Sequence, residues 1–149
     1  MKKIFLMFVA GAVLFAGLVY GGKYDEVFPL MDEMVKGFDK FVNALEKAGS
    51  SDAVASALNG YSDFMTKISP KIKELSQKFP ELDKDENTPE ELKPFKDKMD
   101  KLSQKLAGLF AKIQQYLQDP VVEKAYERWS ETMKLFDDQA ENEDDKEEE

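Results

Sequence analysis

Asp83, Asp85 and Asn87 stand at alternate positions in LDKDENTPEELKP, the spacing with which oxygen ligands open a calcium loop between two helices. The second half of that loop does not suit the ion. Thr88 replaces the turn glycine, and Pro94 holds the place of the closing glutamate, so the stretch reads as a polar interhelical turn. Met31, Met34, Met65, Met99 and Met133 offer thioethers of the kind that bind a cuprous ion outside the cytoplasm. All five fall on apolar seams, where methionine is a flexible core filler. Tyr116, Tyr126, Trp129 and Met133 concentrate aromatic and thioether surface at one end of the chain. They are the candidate lining of a pocket for an apolar ligand, set against the plainer reading of a thickened core. Arg128, beside Trp129, reads as a solvated surface charge with Glu131 three positions on as its helical partner.

The residue types that are missing exclude more chemistry than those present suggest. The chain has 149 residues with no cysteine and no histidine. Disulfides, thiolate nucleophiles, imidazole bases and Cys/His zinc sites are therefore impossible. Haem attachment and the Glu-x-x-His pairs of carboxylate di-iron bundles fail for the same reason. Glu90 and Glu91 are accounted for by the favourable field at a helix N-terminus, and no carboxylate pair stands out as a hydrolase's acid and base. No catalytic residue, cofactor or metal is expected, and the chain reads as a non-enzyme.

Charge narrows the partners. The net charge is −9, from 21 basic and 30 acidic residues, and only one of the basic residues is an arginine. Nucleic acid needs a concentrated positive surface and forked guanidinium donors, so it is not expected as a partner. From Asp137 the chain becomes DDQAENEDDKEEE, nine acids and one lysine, which predicts a disordered acidic tail over 137–149.

Lys2 and Lys3 precede an uncharged apolar run of 17 residues from Ile4 to Tyr20, a length shared by a signal h-region and a minimal membrane span. Gly11 and Gly17 weaken the run as a helix, Val19 and Gly21 have the spacing of a signal-peptidase site, and no basic stop-transfer cluster follows. Residues 1–21 are thus expected to be a signal peptide cleaved after Gly21, the alternative being an uncleaved anchor and with it the one route to membrane attachment. Either way the remainder would work in the bacterial periplasm or outside the cell.

The elements that follow are helical. Val27, Met31, Met34, Phe38, Phe41 and Leu45 recur in steps of 4, 3, 4, 3 and 4, which keeps one seam of a helix against a partner. Similar series run from Val54 to Phe79, from Leu92 to Tyr116 and from Val122 to Phe136. No stretch shows sustained strand alternation. Helices are expected at about residues 25–47, 51–79, 89–117 and 120–136. Ser51, the Thr88-Pro89-Glu90-Glu91 capping box and Asp119-Pro120 mark the starts. Pro70 predicts an outward kink. Pro94 admits two readings, a similar kink or the true start of the third helix after a short turn from Pro89.

Folding the second series back on the third places an apolar residue on both sides of every layer, from Phe79 opposite Leu92 to Val54 opposite Tyr116. The expected fold is therefore all-α: an antiparallel up-down-up-down four-helix bundle over 22–136, built on a long central hairpin of helices two and three. A helical hairpin completing its bundle as a homodimer is the alternative. Such a bundle, exported and without catalytic groups, is expected to act by binding another protein as adaptor, inhibitor or chaperone-like factor. The second reading is a carrier holding a lipid or other apolar ligand inside the bundle.

Overall fold

A computed structural model describes residues 22–83 and 90–144 of the chain. The expected signal segment, residues 84–89 of the calcium-like turn and the last five residues lie outside the described residues. The described residues form four α-helices, α1 (Phe28–Lys47), α2 (Ser51–Lys78), α3 (Lys93–Tyr116) and α4 (Pro120–Asp144), with short 3-10 turns at Pro80–Asp83 and Glu90–Leu92. No strand occurs among them.

Local chemistry sets most helix boundaries. Ser50 caps α2 in extended conformation, its side chain accepting from the Ala53 N–H at 3.3 Å. Ser51, expected as the cap, is instead the first helical residue, and its hydroxyl hydrogen-bonds the Asp119 carboxylate across the bundle end. Asp119 also caps α4, accepting from the Val121 N–H at 3.1 Å, with Pro120 at the first position as expected. The third helix starts at Lys93 rather than 89. Pro94 lies in its first turn, where the missing N–H leaves no bond unmade; inside a helix running on from Pro89 it would have left a carbonyl unpaired. Pro70 stays within an unbroken α2 and is exposed. The backbone of α4 continues past Phe136 to Asp144, eight residues into the stretch expected to be disordered. Gln139, Ala140, Glu141 and Glu143 are adequate helix formers, and no proline or glycine stops propagation from the packed part of the helix.

One core joins the four helices. Phe38, Val42, Leu45, Val54, Leu58, Ile68, Met99, Ile113 and Val122 are almost wholly buried, and the five seam methionines are buried with them. α1 and α2 pack antiparallel, with ion pairs from Glu26 to Lys78 and from Glu33 to Lys71. α2 and α4 run the same way, since Ser51 meets Asp119 at one end and Asp63 meets Arg128 further along. The expected central hairpin is not the main contact. α2 makes its broad contacts with α1 and α4, α3 makes its broad contact with α1, and α2 and α3 touch only slightly. Layered heptads show how many apolar residues each level holds, but they do not say which neighbouring helix covers them.

The buried line of α3 also differs in detail. It passes through Phe95, Met99, Ser103, Leu106 and Ile113, with Phe110 half-buried on the same side, while Leu102 and Leu109 are only half-buried on its flank. Steps of 4, 3, 4 and 3 from Met99 through Ser103, Leu106, Phe110 and Ile113 describe that face. A serine within the series disguises it.

Candidate functional site: the aromatic cluster around Trp129

Helical spacing puts Tyr126, Trp129 and Met133 on one side of α4, at i, i+3 and i+7. Trp129 and Met133 are buried, and Tyr126 is half-buried with its ring centroid 5.5 Å from that of Trp129. Phe41 of α1 and Phe110 of α3 approach the indole from other helices, each with centroids 6.3 Å away. Tyr61 of α2 stacks on Phe41 at 4.5 Å and 12°. Each helix therefore contributes at least one ring to a continuous aromatic column. Offset ring pairs of this kind are each worth about 0.5–1.5 kcal/mol beyond their buried area. Burial pushes the Tyr61 phenol well above its ordinary range, so it stays neutral.

Of the four residues expected to line a pocket, three lie together on α4 and one lies apart. Tyr116 is half-buried against the core at the end of α3, outside the ring pairs that surround Trp129. Two further rings of the cluster are not marked by the sequence spacing: Phe41 belongs to the seam of the first series, and Phe110 falls off the series from Leu92 to Tyr116. The shifted series through Ser103 was the available signal for Phe110.

The hydrogen-bonding balance of this region is uneven. Thr132 Oγ1 donates to the Arg128 carbonyl at 2.9 Å, and Ser62 Oγ donates to the Leu58 carbonyl at 3.0 Å. The Trp129 indole N–H, buried as deeply, has no acceptor and is the one such buried side-chain atom among the described residues. A buried donor left unpaired costs about 1–3 kcal/mol. Arg128 itself turns away from the cluster to the Asp63 carboxylate, and to Asn59 Oδ1 at 3.3 Å. It ties α4 to α2 rather than pairing along its own helix.

A second feature lies on the outer side of α1 and α2. Pro29, Asp32, Glu33, Lys36, Gly37, Lys40 and Phe64 line a shallow depression of about 370 Å³. Phe64 rests directly on the backbone of Gly37, where a Cβ would stand 2.3 Å from the ring. Ion pairs from Asp32 to Lys36 and from Glu33 to Lys71 rim the ring with charge.

Among the described residues no cluster of acidic groups could hold a metal ion, and no helix is long and apolar enough to cross a membrane. Comparison with known protein families, curated proteins and solved structures finds no match to this chain.

Proposed function

We propose that the chain is an exported, non-enzymatic helical bundle that acts by binding another protein, as an adaptor, inhibitor or chaperone-like factor. The observation that carries this reading is the α1–α2 depression. A half-buried aromatic ring, seated on a glycine and rimmed by charged pairs, has the anchor-and-rim layout of a protein-binding hot spot. The proposed architecture is the up-down-up-down order, supported by the opposed α1–α2 pairings and the parallel α2–α4 pairings. Export rests on the sequence of residues 1–21, with cleavage after Gly21.

A photoreactive phenylalanine analogue placed at position 64 tests the reading in intact cells. Crosslinking to one defined polypeptide, absent when the analogue is moved to exposed Leu135, is the expected result; no adduct, or the same adducts from both positions, would refute it. N-terminal sequencing of the mature protein tests export, which predicts a chain beginning at Gly22.

The second reading, a carrier of a lipid or other apolar ligand, is favoured by the unpaired indole N–H within the aromatic column. Native mass spectrometry after gentle purification separates the two, since a carrier retains a small molecule and an adaptor retains a polypeptide.

A further inference from the structure

We propose that the seam between α3 and α4 admits an acyl chain bearing a neutral hydrogen-bond acceptor, an ester, amide or ketone carbonyl, which takes the Trp129 indole N–H. This rests on the carrier reading and specifies its ligand and its site.

Three observations converge on that seam. The first is the donor: a buried N–H without a partner, in a core where the buried hydroxyls of Ser62 and Thr132 bond to nearby carbonyls. The second is the packing of the two helices. Only Leu117–Asp119 separates α3 from α4, yet the pair does not pack closely along its length, and the rings of Phe110 and Trp129 bridge the space between them. Parting two helices held by side chains disrupts less than parting α2 from α4, which approach closely. The third is the chemistry of the walls. Phe41, Phe110 and Tyr126 set their rings against the indole, and Met133 is buried one helical turn further along α4, apolar and aromatic surface suited to a hydrocarbon chain.

The same walls decide the head group. A buried carboxylate needs a cation or several donors, and among the described residues the indole N–H is the one buried side-chain donor left without a partner. Arg128, the nearest cation in sequence, is engaged by Asp63 on the α2 side. A neutral carbonyl requires no more than the one donor provided.

Trp129 is the sole tryptophan, so its fluorescence and its single indole proton resonance both report on the site without labelling. The test titrates the full mature chain with 2-dodecanone, dodecane and laurate, following indole emission, the indole proton shift and calorimetric heat. The expected result is saturable binding of the ketone with a downfield indole shift, weaker binding of dodecane without that shift, and no advantage for laurate. Trp129→Phe keeps a ring and removes the donor; it should cut the preference for ketone over dodecane by about five- to tenfold, the loss of one hydrogen bond.

The wild-type indole shift decides the matter even if the variant folds poorly. Equal affinity for ketone and dodecane with no indole shift, or preference for laurate, would overturn the proposed head group. Binding of none of the three would overturn the site itself. A purified carrier retaining a ligand without an acceptor would preserve the carrier reading and defeat this inference alone.

Discussion

Gly37 lies within α1, where glycine costs about 0.5–1 kcal/mol relative to alanine, and its retention is explained by the ring of Phe64 pressed on its backbone. Gly60 and Gly108 are also within helices, but a Cβ on either would meet nothing within 4 Å. Gly60→Ala and Gly108→Ala should therefore each stabilise the fold by about 0.5–1 kcal/mol in urea denaturation. Gly37→Ala should show no such gain and should lower the midpoint, with Phe64→Ala in the same chain restoring it. Asp119 gives a residue-scale prediction about pH. Hydrogen bonds from the Ser51 hydroxyl and the Val121 N–H hold its carboxyl below its ordinary value of 3.8. A carboxyl with a depressed folded pKa contributes stability that is complete above the unfolded value and is lost as pH falls toward the folded one. Stability should drop as pH falls below 3.8, and Ser51→Ala should make that part of the drop smaller, as read from midpoints measured across the acid range.

Two helices show what sequence spacing leaves open at the scale of elements. α2 carries Pro70 in its interior without ending there, so one backbone carbonyl lacks its usual N–H partner. Pro70→Ala should restore that bond and raise stability by up to about 3 kcal/mol, measured by thermal and urea unfolding. The C-terminus of α1 is completed by another helix. Lys112 of α3 donates to the carbonyls of Leu45 at 3.2 Å and Glu46 at 2.6 Å, meeting exposed acceptors at the negative end of the α1 dipole. Beside it the Lys105 ammonium, 2.8 Å from Glu46, holds that carboxyl below its usual range. Lys112→Met keeps the aliphatic stem and removes the donors, and should cost about 1–2 kcal/mol in the same assay. Neither lysine lies on an apolar seam, so periodicity gave no hint of this cap. The start of α3 was legible only as a choice between two readings of Pro94.

At the scale of the whole molecule, one chain supplies all four helices around a single core, so a second copy is not needed to cover the seams. Residues 22–149 should sediment as a monomer, roughly 2 kDa below the 17.0 kDa of the whole chain, across micromolar concentrations. A dimer under those conditions would mean that an outer face, such as the one around Phe64, pairs with itself. The four-helix composition of the core was readable in advance, because each series carried enough apolar residues to bury one face. The arrangement was not. The layered match of the second and third series pointed to a hairpin, whereas α2 lies chiefly against α1 and α4.

Periodicity by itself determined that this protein is helical, most of the residues that form its core outside α3 and, through missing residue types, which chemistries are closed to it. A 3.6-residue repeat is a local property, and an absent side chain is absent in any fold. Tertiary structure alone decided that Phe41 and Phe110 meet Trp129, that Phe64 rests on Gly37, and that Lys112 completes α1. Each of these joins residues from different helices. Which helix faces which is settled by the balance of all the packed faces together, a balance that no single stretch of sequence contains.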